Sequence, residues 1–229
     1  MKKKIVLATG IFYPDVGGPA IHVRKIAETA TANGFKVRVI TYGDDPSHTA
    51  FPFMVSRISR RLPKPWQWFF YLLMNFKEVI NSQVVYAFDP TAAGLPAFLA
   101  AKILRKPFLI RMGGDPIWER EAESGRRVMS IVDYYSQGLY KIDRPILYRL
   151  IRIVLRNSAY IVFCNQFWKN FYIKYFDLQP AKILIVKNPV FKREVASQTL
   201  SNEPNILFAG RFVTYKNLPL MMRAFNEVR

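Results

Sequence analysis

The sequence predicts a doubly wound α/β fold built on a parallel sheet. Three observations carry that expectation. Short apolar runs of strand length recur at residues 4–9, 35–41, 84–87, 107–111, 159–164 and 183–186. Stretches with helical spacing lie between them. Loops carrying Gly, Asp or Asn follow the strands, where open parallel sheets bind their ligands.

In chain order, residues 4–9 form an apolar run ended by Gly10. A loop with Pro14, Gly17 and Gly18 leads into a helix over 19–33. Ile21, Ile26, Ala27 and Ala30 give that helix an apolar side, Pro19 suits its first turn and Gly34 stops it. Strand 35–41 completes a strand–helix–strand unit, the opening of a doubly wound sheet. The pattern recurs as strand 84–87, helix 91–104 and strand 107–111, which ends at Gly113-Gly114-Asp115. Helices over 116–123, 128–139 and 145–157 precede strand 159–164, helix 166–176 and strand 183–186. Residues 190–204 are polar and read as a linker. A new strand at 205–209 then runs into Gly210-Arg211 and a helix over 218–228. The expected organisation is a first domain at 1–189, a linker at 190–204 and the beginning of a truncated second domain at 205–229. One strand and one helix cannot bury their own apolar faces, hence the expectation of truncation.

Lys and Arg number 34 against 16 Asp and Glu, a net charge of +18 that favours an anionic partner: a membrane leaflet, a phosphorylated ligand or nucleic acid. The single cysteine, Cys164, excludes an intrachain disulfide and sits in an apolar run, where a buried thiol is expected. The apolar stretch at the start stops at Thr9-Gly10, too soon for a secretory leader, and no run is long enough to span a bilayer. A cytoplasmic location, peripheral to a membrane, is expected. Between Arg57 and Met74, the cations Arg57, Arg60, Arg61 and Lys64 stand beside Trp66, Trp68 and a hydrophobic run, with no acid among them. Trp and basic residues together match the headgroup boundary, so these six residues are expected to face a membrane.

Gly17-Gly18 at a helix start offers unhindered N–H groups to a phosphate, or is simply a structural turn. The full dinucleotide fingerprint is absent. His22, in the first helical turn, is either structural or part of the same site. Asp115 can cap the following helix and can also bind a sugar hydroxyl. Arg211 and Lys216 flank the turn after the last strand, where two cations can neutralise a diphosphate leaving group, unless they are ordinary surface charge. Asp-x-Asp does not occur and the two histidines join no Cys/His cluster, so no metal site is expected.

Taken together these residues resemble glycosyltransferase family 4. Gly17-Gly18-Pro-Ala-Ile-His22-Val23, followed by Gly34-Phe35-Lys36-Val37, is similar to its opening motif. Val186-Lys-Asn188-Pro-Val190 is similar to the element before its domain linker, and Gly210-Arg211 with Lys216 to the start of its C-terminal domain. The resemblance implies a GT-B fold with a Rossmann-like N-terminal domain, and a retaining transfer from a nucleotide-sugar donor without metal or other cofactor. It implies that Gly17 and Gly18 face the donor phosphates and sugar, and that Arg211 and Lys216 hold the departing diphosphate. His22, Asp115 and Asn188 would lie on the acceptor or sugar side. Acceptors implied are lipid-linked or cell-envelope glycans. Two departures stand out. Met112-Gly113-Gly114-Asp115 occupies the place of a histidine element, and no two Glu are spaced as in the family's donor-binding pair. The chain alone is therefore expected to bind donor poorly. The alternative is a non-catalytic, basic, membrane-associated binding module; nucleic-acid binding rests on charge alone and is disfavoured.

Overall fold

The computed structural model describes residues 3–44, 49–188, 206–210 and 212–228. In chain order the elements are β1 (Lys4–Ala8), α1 (Gly18–Ala32), β2 (Lys36–Tyr42), β3 (Met54–Ile58), α2 (Lys64–Val79), β4 (Val84–Ala87), α3 (Gly94–Ile103), β5 (Phe108–Met112), α4 (Pro116–Glu123), α5 (Ile131–Ser136), α6 (Leu139–Asp143), α7 (Pro145–Asn157), β6 (Tyr160–Phe163), α8 (Gln166–Phe176), β7 (Ile183–Ile185) and α9 (Leu218–Val228). Short 3₁₀ turns stand at Pro180–Lys182 and Thr214–Lys216. They fall into two compact units, one of residues 1–114 with 144–187, the other of residues 115–143 with 188–229.

The first unit holds a seven-stranded sheet in the order β3-β2-β1-β4-β5-β6-β7, and every neighbouring pair is parallel. It is the Rossmann-like α/β fold expected. Strand order reverses between β1 and β4, and such a switch point opens a crevice at the strands' carboxyl ends. Ile5, Leu7, Val37 and Val39 project onto one face of the sheet, where Val23 and Ala27 of α1 meet them with Phe12, Phe53 and Phe88. The apolar residues of both strands thus end up covered, as parallel strands require. On α2, Tyr71 is fully buried and its hydroxyl donates to the carbonyls of Thr9 (3.2 Å) and Ile40 (2.9 Å), locking the helix onto the ends of β1 and β2.

β3 and α2 are not anticipated from the sequence, which left 43–83 without elements. The helix expected at 128–139 is two helices, α5 and α6, because Gly138 takes a left-handed φ of 71° between them. Ile206–Ala209, expected as part of a strand, carries no strand pairing. The expected linker 190–204 lies outside the described residues. Among the described residues no helix is long and apolar enough to cross a membrane.

The second unit holds α4, α5, α6 and α9. Asp115 caps α4 by accepting from the N–H groups of Ile117 (3.1 Å) and Trp118 (2.7 Å), and Ser130 caps α5 through the N–H of Asp133. Arg127 meets Asp143 with two hydrogen bonds, 3.0 and 2.9 Å, which hold the Asp143 carboxyl below its usual range.

Candidate functional site

A cleft of about 570 Å³ opens at the carboxyl ends of β1 to β4. Its walls are the β1–α1 loop (Gly10, Ile11, Asp15, Val16), Tyr42 at the end of β2, Arg60 after β3, the first turns of α2 (Lys64, Gln67, Trp68) and Ala92. Arg60 ties three strand ends together. Its Nη1 donates to Asp15 Oδ1 at 3.0 Å, and its Nη2 reaches the carbonyls of Tyr42 (3.3 Å) and Gly10 (3.4 Å). Gln67 donates to the carbonyls of Arg60 (2.9 Å) and Leu62 (2.6 Å), fixing the loop that carries the guanidinium. Tyr42 stacks on Tyr71 with ring centroids 4.3 Å apart and donates to the Ala92 carbonyl at 2.9 Å. Beneath them Asp89 accepts from the N–H groups of Thr91 (2.9 Å) and Ala93 (3.1 Å). Burial pushes the Asp89 carboxyl up, against those donors. Burial, and then the nearby Asp89, raises both phenols of Tyr42 and Tyr71, which therefore stay protonated donors. Aromatic faces, a carboxylate, an amide and two cations in one cleft are the groups that recognise a polyhydroxylated ligand with an anionic substituent.

The start of α1 is a second element of the site. The helical ladder begins with Ile21 N–H to the Gly17 carbonyl at 3.1 Å, and no acid lies in the first turn to offset the positive end of the dipole. The two glycines differ. A Cβ on Gly17 would stand 2.8 Å from Ile11 Cδ1, whereas around Gly18 there is open space. The tip of Ile11 can swing aside for a Cβ on Gly17, so packing demands glycine at neither position.

His22, one turn further on, is half-buried. Burial and then the charge of Arg111 lower its pKa from 6.5. Arg111 is itself buried at the end of β5, donating to the Val186 carbonyl at 3.0 Å and hydrogen-bonded to Tyr86. A histidine whose folded pKa is depressed binds fewer protons folded than unfolded, so its contribution is constant above pH 6.5 and declines below it. His22→Gln is expected to make the acid side of a stability–pH profile shallower, read from urea midpoints between pH 5 and 8. An unchanged profile would remove the coupling to Arg111.

The structure brings Gly17, Gly18 and His22 together on α1, and Arg60, Lys64 and Trp68 together in the cleft. Asp115, Asn188 and Lys216 belong to the second unit. Asp115 is fully buried; besides capping α4 it accepts from Tyr135 Oη at 2.8 Å, so of its two expected roles the structure displays the cap. Asn188 is exposed, as is Lys216, whose Nζ stands 5.6 Å above the Tyr215 ring. Arg211 lies outside the described residues. Of the six residues expected to face a membrane, Arg60, Arg61, Lys64 and Trp66 are exposed. Arg57 is turned inward instead: it donates to the Tyr13 carbonyl at 2.7 Å and lies over the Phe12 ring. Arg60 and Trp68 face the cleft. Asp15, Tyr42, Asp89 and Arg111 were not singled out from the sequence. Asp15, Tyr42 and Arg111 hydrogen-bond to residues 45, 50 and 75 positions away, Asp89 holds a turn without a local signature, and only the Asp at a strand's carboxyl end was a usable signal.

The model of Glycosyltransferase Family 4 matches residues 16–191. The chain belongs to glycosyltransferase family 4. No curated protein matches it in sequence. Among solved structures it is similar in fold to the UDP-GlcNAc 2-epimerase of Methanocaldococcus jannaschii, with 17% identity, 82% of this chain covered and a TM-score of 0.53. The same epimerase in complex with UDP-GlcNAc and UDP gives 17%, 82% and 0.52. A lipopolysaccharide outer core galactosyltransferase gives 12%, 84% and 0.50. The chain spans about half the length of these structures, 46%, 47% and 47% respectively. Within family 4, the crevice at the β1–β4 switch point is the feature around which this domain's polar groups converge.

Proposed function

We propose that this family 4 domain is the acceptor-side part of a retaining glycosyltransferase. It moves a sugar from a nucleotide-sugar donor to a glycan or lipid-linked acceptor of the cell envelope, at the inner face of the cytoplasmic membrane. The family match across 16–191 is the observation that carries this reading. The C1–O bond to the diphosphate breaks as the acceptor oxygen bonds to C1 on the same face, and the acceptor proton passes to the departing phosphate. Arg211 and Lys216 take up the charge that develops on the diphosphate, so no metal is required. Gly17 and Gly18 present the positive end of α1 to the donor phosphates. The cleft of Asp15, Tyr42, Arg60, Lys64 and Trp68 receives the acceptor.

The test is sugar transfer by the protein carrying this chain, assayed with a panel of nucleotide sugars and envelope glycans, with and without a chelator. The expected product keeps the donor's anomeric configuration by NMR, at a rate the chelator leaves unchanged. Inversion, chelator sensitivity, or epimerisation of UDP-GlcNAc at C2 without transfer would each overturn the corresponding part.

Gly18 separates fold from function. Alanine fits the space around it and is the better helix former, so Gly18→Ala is expected to hold or raise Tm, by up to about 1 kcal/mol in stability. Its methyl group would meet a phosphate approaching the helix end, so transfer is expected to fall roughly tenfold or more. A variant that keeps full activity would take Gly18 out of the donor site.

A further inference from the structure

Helix α2 is amphipathic the wrong way round for a helix that faces water. Its buried face carries Gln67, Tyr71, Asn75 and Glu78 beside Val79. Each of the four polar side chains has an internal partner: Gln67 the carbonyls of Arg60 and Leu62, Tyr71 those of Thr9 and Ile40, Asn75 that of Tyr71, and Glu78 the cations of Lys4 and Arg38. Its outward face carries Trp66, Phe69, Phe70 and Leu73, each 41% to 55% exposed. These four recur at i, i+3, i+4 and i+7, one stripe on one side. The three rings touch one another, with centroids 5.6 to 6.0 Å apart, so the patch is continuous. Beside it runs an apolar groove of about 410 Å³, floored by Ile58, Leu62, Phe70, Leu73 and Met74 and flanked by Arg57 and Lys77.

We propose that this outward face of α2 docks on an anionic lipid bilayer, with Trp66, Phe69, Phe70 and Leu73 inserted and the groove accepting an acyl chain. An exposed aromatic stripe of this size marks an interaction surface rather than a solvated face. Charge chooses the occupant. Arg61, Lys64 and Lys77 are exposed around the stripe, and the helix's one acid, Glu78, is buried and already paired. A second copy of this +18 chain would bring like charges together, whereas an anionic leaflet attracts them. Tryptophan at the edge of the stripe suits the headgroup level. The same helix contributes Lys64, Gln67 and Trp68 to the cleft, so docking would hold the cleft mouth beside the lipid surface that carries an amphiphilic acceptor. The proposal deepens the membrane-peripheral setting proposed for the transferase. It rests on observations independent of the transfer chemistry.

Co-sedimentation of the 229-residue chain with vesicles tests it without reference to activity. Vesicles of phosphatidylcholine mixed with an equal part of phosphatidylglycerol are expected to bind the chain, and phosphatidylcholine vesicles to bind it far less. Combined replacement of Trp66, Phe69 and Phe70 by alanine is expected to weaken binding roughly a hundredfold. Lys77→Gln and Arg61→Gln are each expected to weaken it about fivefold. All these side chains are exposed, and unchanged circular dichroism spectra would confirm that the variants fold. Brominated acyl chains are expected to quench part of the tryptophan fluorescence, and Trp66→Phe to abolish that component. Equal binding to both vesicle types, binding untouched by the triple replacement, or a concentration-dependent dimer that the triple replacement dissolves would each overturn the proposal. Docking without transfer, or transfer without docking, would show which of the two readings fails.

Discussion

Glu78→Ala is expected to destabilise the first unit by ~3 kcal/mol. The carboxylate accepts from Lys4 Nζ at 2.9 Å and Arg38 Nε at 3.0 Å, and its side chain is only 6% exposed. Lys4 opens β1, Arg38 lies in β2 and Glu78 ends α2, so one anion neutralises two cations where three elements converge. Removing it leaves Lys4 and Arg38, with side chains 13% and 16% exposed, desolvated and without a counter-ion, although Lys4 Nζ keeps its bond to the Glu78 carbonyl at 2.7 Å. Breaking such a buried pair costs more than the pair contributes, because the orphaned charges keep their desolvation penalty. Tm should fall by roughly 6–12 °C, read by calorimetry with a matching shift in the urea midpoint. Glu28→Gln is the internal control. Its pair with Arg24 is an exposed i,i+4 contact at 2.9 Å and should cost no more than about 0.5 kcal/mol. If the two variants melted alike, the polar underside of α2 would not be what anchors the helix.

That helix also shows where the sequence was and was not legible. The core strands and the helices α1, α4, α7 and α8 could be read because each buries apolar residues at its element's spacing, even though Ile21, Ile146, Ile153 and Phe167 face outward. In α2 burial and periodicity disagree. Its apolar positions face outward and its polar positions inward, and Pro63 and Pro65 at its start look like a turn. Only the Trp and cations drew notice, as a membrane signal with no element beneath it. The side chains credited to that signal then separated by geometry. Arg57 and Arg60 sit on β3 and the loop after it, so strand direction sends one to Phe12 and Tyr13 and the other to Asp15. Sequence proximity to Trp66 concealed this.

The site was half legible for a related reason. Gly17, Gly18 and His22 announce themselves through a local motif at a helix start. Asp15 and Arg60, or His22 and Arg111, meet only because parallel crossovers bring distant strand ends side by side, and no local pattern records that. Asp115 was ambiguous between cap and ligand until its burial displayed the cap. Ile206–Ala209 had the composition of a strand, but a strand exists only through a ladder partner, and none pairs with it among the described residues.

Lys216→Met is expected to lower kcat roughly 100- to 1,000-fold in the protein carrying this chain, with a smaller change in the donor KM. The asymmetry follows from where the charge appears. The diphosphate gains negative charge as the glycosidic bond lengthens, so a cation aimed at it is worth more in the transition state than in the ground state. Lys216 is suited to that work by its surroundings. It is exposed, follows Tyr215 in a 3₁₀ turn and stands over that ring, which in turn packs on Trp118 at 5.2 Å. Methionine keeps an apolar stem of similar length and removes the charge at this exposed position, so stability should move by less than about 0.5 kcal/mol. Lys216→Arg, which keeps the charge in a broader fork, should retain more of the rate. Arg211→Met should lose a comparable factor, and the double variant less than the product of the two, because in the proposed reaction both cations serve one leaving group. A kcat within about threefold of the parent in Lys216→Met would remove Lys216 from the chemistry and leave leaving-group stabilisation to other residues.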